Sequence, residues 1–389
     1  MSCEEAMGAA AAGGAAAEPD LPEGVPPLTS FYLYLVTGCN LACRHCWITP
    51  TFVHGEPSPG DCLDVDLLRG AVAEARPLGL GSAKLTGGEP TLHPRFRDIV
   101  DLLSAEGLSL DMESNGTLID AGLARHLKEN TKLGFISVSL DGATAATHDG
   151  FRNAPGAHAA ALRGLDHLVA AGYENVQVIM CPHRGNVDEM EALVKLAVAH
   201  GAGSVKFNPV MRSGRGVAMH ERGEVLEFDE VLALVRYVRG ELQDGTPIPL
   251  HLMTPPALST VGELLRTKDG GEACHVRHIL GLLGTGEMAL CGVGRNVPAL
   301  CFGRLGADSL REVWLRHPTL VQLRKDLAEP TTYPGLCGAC LHAGRCLTSC
   351  VAQNYLDSGH LVWPAELCAE AERRGEWPES RRRGVRSKK

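Results

Sequence analysis

Six short runs of apolar and β-branched residues, separated by longer stretches with helical periodicity, recur between residues 31 and 208. Each run predicts a strand, and strands that alternate with helices are typical of a parallel α/β sheet. The clearest helical patterns cover Pro94–Leu103 and Val187–His200. The sequence therefore predicts an α/β fold, in the form of a partial (β/α)6 barrel of the TIM type. The predicted strands are Phe31–Val36, Ala83–Thr86, Ser109–Glu113, Phe135–Leu140, Val176–Met180 and Val205–Asn208.

The chain on either side of this region has a different composition. The first 28 residues are rich in Ala, Gly and Pro, a composition that predicts no buried core. Four prolines between residues 247 and 256 break the strand and helix rhythm, and the part beyond Cys274 holds seven of the 14 cysteines. The predicted divisions are a disordered leader (1–28), the partial barrel (29–245), a linker (246–273), a cysteine-rich domain (274–375) and a basic tail (376–389).

Charge and targeting features narrow the class of protein. The formal net charge of -9 gives no overall basic field, so nucleic acid is not an expected partner. The N-terminus is acidic rather than basic, and no apolar run reaches the roughly 18 residues of a membrane helix. We therefore expect a cytoplasmic protein with no membrane partner. In a reducing compartment, 14 cysteines indicate metal ligation or catalysis rather than disulfides.

Three cysteines follow the first predicted strand in the pattern CX3CX2C, as Cys39, Cys43 and Cys46. Loops that follow the strands of such a barrel form its active site. Three thiolates can bind three irons of a four-iron cubane and leave the fourth iron open to a small molecule. Structural zinc is the weaker alternative, because it needs a fourth ligand and neither His45 nor His54 has a zinc-finger spacing to Cys46.

This pattern resembles the radical S-adenosylmethionine (SAM) superfamily, and the later motifs occur in the same order. Residues 86–90 read TGGEP, similar to the family's GGEP element, in which the glycines permit close backbone approach and Glu89 faces the ammonium group. Arg152 suits a carboxylate and, with Ser139, resembles the pair that binds the methionine end of SAM; a surface salt bridge is the alternative for Arg152. The implied SAM-binding residues are Gly87, Gly88, Glu89, Asn115, Ser139, Asp141, Arg152 and Asn208.

The resemblance also implies a reaction. The open iron of the cluster binds the amino and carboxylate groups of SAM, and one electron then cleaves SAM to methionine and a 5′-deoxyadenosyl radical. Such a radical removes hydrogen from an unactivated carbon, so the protein has to exclude water and orient one C–H bond. A one-electron donor such as flavodoxin or ferredoxin is therefore an expected partner.

The later cysteines have the spacing CX11GX4C, CX2CX5CX3C and then one distant cysteine. This spacing resembles the SPASM domain of peptide- and protein-maturing radical SAM enzymes, which holds two auxiliary 4Fe-4S clusters. A zinc ribbon is the alternative for the CX2C pair. The resemblance implies three 4Fe-4S clusters in all, with Cys274, Cys291 and Cys350 on the first auxiliary cluster and Cys337, Cys340, Cys346 and Cys368 on the second.

Two positions depart from the sulfatase-maturing members of this family. Lys268 stands where those enzymes have an eighth cysteine, so the first auxiliary cluster lacks one protein thiolate. Gly292 stands where they have a catalytic aspartate, which argues against sulfatase maturation. The sequence leaves the missing ligand open among Asp269, His275, His278, Cys301, water and a substrate atom.

We expect a radical SAM/SPASM enzyme that modifies a ribosomally made peptide by cross-linking, epimerisation or oxidation. The 28 residues before the barrel are too few for a leader-binding winged helix, so a separate recognition protein or direct docking of the precursor peptide is expected. The alternative is a tetrapyrrole enzyme that acts on propionate side chains, for which Arg212 and Arg215 are available. An electron carrier without chemistry is a third possibility, but it has no need of a SAM pocket.

Overall fold

The computed structural model describes residues 19–52, 58–259, 262 and 275–384. In this part of the chain, ten strands form one sheet. Buried and half-buried side chains alternate along the strands, for example along Ser109–Ser114, as the predicted strand periodicity requires. The strands are β1 (Ser30–Tyr34), β2 (Ser82–Thr86), β3 (Ser109–Ser114), β4 (Leu133–Ser139), β5 (Val176–Met180), β6 (Ser204–Phe207), β7 (Leu250–Leu252), β8 (Ile279–Leu283), β9 (Glu287–Ala289) and β10 (Cys301–Arg304).

Helices connect the parallel strands, and several begin at side-chain caps. Asp64 accepts hydrogen bonds from the backbone of Asp66 and Leu67 and so fixes the start of the first helix. The α-helices between β1 and β7 are α1 (Val65–Ala75), α2 (Phe96–Ala105), α3 (Ala121–Asn130), α4 (Ala145–Arg152), α5 (Ala157–Ala170), α6 (Met190–Ala199), α7 (Gly216–Glu221) and α8 (Phe228–Tyr237). Those after β10 are α9 (Leu310–Arg316), α10 (Pro318–Asp326), α11 (Leu336–Ala339), α12 (Ala343–Cys346), α13 (Val351–Ser358) and α14 (Glu366–Arg373).

The strand order is β10-β9-β8-β1-β2-β3-β4-β5-β6-β7. Strands β8 and β1 to β7 run parallel, whereas β9 and β10 form an antiparallel extension. The predicted α/β fold class is confirmed, and the six predicted strands occur in the predicted order. Because consecutive parallel strands place their carboxyl ends at one rim, the loops with the predicted ligands come together there.

The two faces of the sheet differ in polarity. Side chains such as Leu33 and Leu85 belong to the main hydrophobic core. At the alternate positions, Lys84 forms an ion pair with Glu113, and its ammonium lies 5.3 Å from the ring centroid of Tyr32. The other face of the sheet is therefore polar. Its charged groups lie below the rim at which the loops with the predicted ligands come together.

Part of the C-terminal region shares the barrel's sheet. Strand β7 lies in the segment predicted as a linker, and it is only three residues long. Strand β8 pairs with β1 from Ser30 and Ile279 onward, so the predicted boundary at residue 274 does not separate two sheets. Three-residue strands beside prolines are too short to show a period of two, which is why the sequence did not predict β7.

The end of the predicted leader packs against the rest of the chain, unlike the disordered segment that was expected. Leu28 is fully buried, and the indole nitrogen of Trp314 donates to the carbonyl of Pro26 at 3.1 Å. Residues 1–18 of that leader lie outside the described residues. Among the described residues, no helix has the length and apolar character needed to cross a membrane.

Candidate active site

The CX3CX2C loop follows β1 at the carboxyl rim of the sheet. Cys39 and Cys43 are buried and Cys46 is half-buried, and all three belong to one small cluster. The loop is fixed by backbone hydrogen bonds from Cys39 to the carbonyl of Thr51 at 3.1 Å and from Arg44 to that of Phe151 at 3.0 Å. The structure thus brings the three predicted iron ligands together.

The surroundings of Cys39 and Cys43 disfavour free thiolates. Burial raises the pKa of the Cys39 thiol, and the neighbouring Cys43 and Glu89 raise it further. Burial also raises the pKa of Cys43, against the lowering effect of the Arg152 guanidinium, which donates to the Cys43 sulfur at 3.5 Å. Three cysteine thiols that converge on one site match the donor set of a cysteine-ligated iron-sulfur cluster.

The glycine-rich loop after β2 packs directly on the cysteine loop. A Cβ at position 88 would lie 1.6 Å from the carbonyl oxygen of Gly38. The backbone nitrogens of Gly88 and Glu89 donate to the carbonyls of Val36 and Gly38 at 3.2 and 3.0 Å. Gly87 has φ +130°, a conformation that favours glycine. Only glycine at these two positions lets the loops approach this closely.

Glu89 is fully buried and connects the loops that follow β2 and β3. Its carboxylate accepts hydrogen bonds from the Thr91 hydroxyl at 2.6 Å, the Ser114 hydroxyl at 2.9 Å and the Asn115 backbone nitrogen at 2.8 Å. Burial raises the pKa of Glu89 in spite of these donors. The Asn115 amide nitrogen also lies 4.0 Å from the Cys39 sulfur. In this structure Glu89 therefore orders the loops around the cysteines.

Asp141 and Arg152 form a buried ion pair, with Oδ2 and Nη2 2.5 Å apart. The other Asp141 oxygen accepts from the backbone nitrogen of Cys181 at 2.7 Å. Burial opposes ionisation of Asp141, but Arg152 and His45 together hold the pKa of its carboxyl below the ordinary value. Arg152 was predicted to bind the carboxylate of SAM, with a surface salt bridge as the alternative. In this structure its guanidinium contacts Asp141 and Cys43 inside the protein.

The remaining predicted SAM-binding residues lie along the same rim. Ser139 ends β4 and is in register with Ile179 of β5, and the backbone nitrogen of Asn208, after β6, donates to Met180 at 2.9 Å. Several buried polar atoms of this rim have no hydrogen-bond partner among the described residues, and such atoms suit a polar ligand. They are Nε2 of His148, Nε of Arg152, Oδ1 of Asn208, and Nε and Nη2 of Arg215.

Four C-terminal cysteines are brought together away from this rim. Cys337, Cys340, Cys346 and Cys368, from α11, the residue after it, α12 and α14, line one small cavity. Burial raises the pKa of all four thiols, and the neighbouring Cys346 and Cys340 raise that of Cys337 further. Four converging thiols fit the cysteine ligation of a 4Fe-4S cluster.

The first auxiliary set is described only in part. Cys274 and Lys268 lie outside the described residues. Cys291 precedes a 3-10 turn at Gly292–Arg295, and the Cys350 sulfur accepts from the Gln353 backbone at 3.5 Å at the start of α13. The assignment of these cysteines to one cluster stays a prediction.

A cavity of about 500 Å³ lies between the barrel rim and the β8 to β10 region. Cys301, which the sequence offered as a fourth cluster ligand, lines it, and its thiol donates to the carbonyl of Gly294 at 3.4 Å. Arg295 also lines the cavity and donates to the carbonyl of Ile48 at 3.1 Å. The sequence did not indicate Tyr34 as a lining residue, because an aromatic residue inside a strand is usually a core position.

Residues 33–197 match the family described as the Radical SAM superfamily. That span begins in β1 and ends in α6, so it includes the cysteine loop, the glycine-rich loop and the Asp141–Arg152 pair. Residues 33–197 therefore form a radical SAM domain.

Individual relatives are similar over most of the chain. A protein named mycofactocin maturase MftC from Mycobacterium ulcerans is 28% identical over 342 residues, which are 86% of each chain. One named AdoMet-dependent heme synthase from Methanosarcina barkeri is 28% identical over 344 residues, 86% of this chain and 94% of that one. Streptococcus suis SuiB, solved with its precursor peptide SuiA, has the same fold with a TM-score of 0.67, at 13% identity over 88% of this chain and 76% of that one.

Proposed function

We propose that this protein is a radical SAM/SPASM enzyme that modifies a ribosomally made peptide. The observation that carries the proposal is the presence, in one chain, of a three-cysteine loop at the barrel rim and a separate cavity lined by four cysteines. Similarity to a peptide maturase, and the fold shared with an enzyme solved with its precursor peptide, support it.

In this proposal, Cys39, Cys43 and Cys46 hold a 4Fe-4S cluster that, together with SAM, supplies the 5′-deoxyadenosyl radical. The backbone of Gly87 and Gly88 provides a surface without side chains beside the cysteine loop. Asn115, Ser139, Asp141, Arg152 and Asn208 present polar groups for SAM along the rim, and Glu89 holds the loops in place.

The cavity of about 500 Å³ is the proposed site for the reacting part of the peptide. Tyr34 and Ile48 provide apolar walls, and the side chains of Arg295 and Glu287 provide polar contacts at its edge. Such a lining suits one amino-acid side chain with its flanking backbone, and it limits the access of water to a radical.

The precursor peptide reaches this site either through a separate leader-recognition protein or by direct docking. A flavodoxin or ferredoxin is the proposed source of electrons, and the cytoplasm is the proposed compartment. Two auxiliary 4Fe-4S clusters complete the proposed cofactor set.

A tetrapyrrole substrate is the second candidate. The heme synthase relative is as similar to this chain as the maturase is, at 28% identity. Arg215 has two buried guanidinium nitrogens without partners among the described residues, and a guanidinium suits a propionate carboxylate.

One assay separates the two candidates. The reconstituted enzyme is incubated without oxygen with SAM and dithionite, and with either synthetic peptides from short reading frames beside the gene or an iron porphyrin with propionate side chains. We expect mass spectrometry to find a peptide that loses two hydrogens, or that takes up solvent deuterium in an epimerisation. Turnover of the porphyrin alone would reject peptide modification.

A further inference from the structure

The four-cysteine cavity lies directly beneath a basic surface formed by two segments of the C-terminal region. The backbone nitrogen of Arg383 donates to the carbonyl of Ala339 at 2.7 Å, and that of Leu341 donates to the carbonyl of Arg381 at 2.8 Å. Cys340 and Arg382 form an antiparallel bridge between the two segments. The arginine segment is therefore fixed by backbone contacts to the residues on either side of a predicted cluster ligand.

Leu341 is the apolar centre of this surface. Its side chain is 54% exposed, although it directly follows Cys340, which is only 5% exposed. An exposed leucine one residue from a buried cluster ligand provides a short covalent connection between the surface and the metal site. Apolar side chains surrounded by polar and charged ones are typical of protein contact surfaces.

The charges around Leu341 are mostly positive. Arg345 is exposed on α12, and Arg381 and Arg383 are half-buried. Arg382 is paired with Glu379 at 2.9 Å and Glu372 at 3.3 Å. Among the residues that the structure describes, no ion pair is found for Arg345, Arg381 or Arg383.

The basic surface and the four-cysteine cavity share residues. His342, which directly follows Leu341, lines the cavity, and its backbone nitrogen donates to the Cys340 sulfur at 3.3 Å.

We propose that Leu341, Arg345 and Arg383 form the docking surface for an acidic one-electron carrier protein, which reduces the enzyme through the four-cysteine cluster. The inference rests on the proposed function, because it requires an iron-sulfur cluster in that cavity. The basic surface stands out on a chain whose net charge is -9, and this contrast directs an acidic partner to one face. The carrier loses one electron, the oxidised cluster gains it, and no proton or group is transferred.

Reduction by a purified flavodoxin, with its flavin fully reduced and excess reductant removed, tests the proposal. The iron-loaded full-length enzyme and its Arg345→Glu/Arg383→Glu variant are mixed with flavodoxin in a stopped-flow instrument at low salt. We expect the second-order rate constant to fall at least tenfold in the variant, because electrostatic steering accelerates association by about 10 to 1,000-fold. Added salt should lower the wild-type rate towards that of the variant.

Three controls test whether the effect is specific to this surface. Arg311→Glu changes the same charge on α9, which packs against α1, and it should retain the wild-type rate. Reduction by dithionite, iron content and thermal midpoint should be the same in Arg345→Glu/Arg383→Glu, Arg311→Glu and the wild type. A Cys337→Ala/Cys340→Ala variant should lose fast reduction by flavodoxin, because it lacks the entry cluster.

Several outcomes would overturn the proposal. The proposal is wrong if flavodoxin does not reduce the wild-type enzyme, or if the Arg345→Glu/Arg383→Glu variant keeps the wild-type rate constant. It is also wrong if Arg311→Glu lowers the rate constant as much as the double variant does. Loss of RNA binding in the double variant without any change in flavodoxin kinetics would assign the surface to nucleic acid instead. None of these assays contains a peptide, so peptide modification driven by dithionite succeeds or fails independently.

Discussion

The phenol ring of Tyr34 occupies the space beside Gly292 that a side chain at position 292 would need. A Cβ at that position would lie 2.2 Å from Cε1 of Tyr34 and 2.8 Å from its hydroxyl oxygen. A side chain at position 292, such as that of an aspartate, would therefore overlap the Tyr34 ring. Burial and the neighbouring Cys291 raise the pKa of the Tyr34 phenol well above its ordinary value.

We expect Gly292→Ala to destabilise the protein, because overpacking a close contact costs about 1–3 kcal/mol. Tyr34→Ala should restore most of this loss when the two changes are combined, and urea denaturation of the four proteins measures the coupling. Gly134→Ala is the matched control, since nothing lies within 4 Å of the added Cβ. Additive effects of the two substitutions would show that the ring does not restrict position 292.

Gly88→Ala should disrupt the cysteine loop, because the added Cβ would lie 1.6 Å from the Gly38 carbonyl oxygen. The displacement should lower substrate-free conversion of SAM to 5′-deoxyadenosine by about 100-fold, a loss typical of a misplacement of about 1 Å. Chromatographic assay of 5′-deoxyadenosine under dithionite measures the effect. Gly70→Ala, on α1 and with open space around it, should keep the wild-type rate. Equal rates in both variants would contradict the close packing of the two loops.

The sequence predicted the fold well where local signals suffice. Strand β5 occurs at the predicted residues, and the other five predicted strands differ by one or two residues at their ends. Their strand signals are local, and each is followed by a polar or glycine-rich loop. Strands β7 and β9 have three residues each, so their assignment depends on neighbouring strands rather than on their own pattern.

The site was predictable as a set of residues but less so as a set of contacts. The thiols of the CX3CX2C loop meet because they lie within eight residues of one another. The ion pair of Asp141 with Arg152 and the contact of Tyr34 with Gly292 depend on how distant elements pack. Such pairs have no local spacing signal, so the sequence identified Asp141 and Arg152 but not the ion pair between them.

Iron analysis tests the cluster assignments. We expect reconstituted protein to hold about twelve irons, for three cubanes of about four irons each. The variant Cys337→Ala/Cys340→Ala should lose about four of them, because both thiols line the four-cysteine cavity. Cys62→Ala should lose none, since Cys62 is half-exposed and outside all three sets. A plateau near four irons in the wild type would remove both auxiliary clusters from the cofactor set.

His148 predicts a specific pH dependence of stability. Its Nδ1 accepts a hydrogen bond from the Asp141 backbone nitrogen at 3.0 Å, which requires a neutral ring at that atom. Burial, followed by the charge of Arg152, lowers the pKa of His148 to about 4. The pKa of histidine in an unfolded chain is about 6.5, so the unfolded state binds more protons as the pH falls below that value.

The stability of the folded state should therefore decrease as the pH falls from about 6.5 towards 4, by up to about 1.4 kcal/mol for each pH unit from this residue alone. His148→Asn removes the titrating ring and retains an acceptor for the Asp141 nitrogen. Urea denaturation at several pH values between 4 and 7 should show a shallower slope for this variant than for the wild type. Identical slopes in the wild type and His148→Asn would mean that the folded state accepts a proton on His148 without loss of stability.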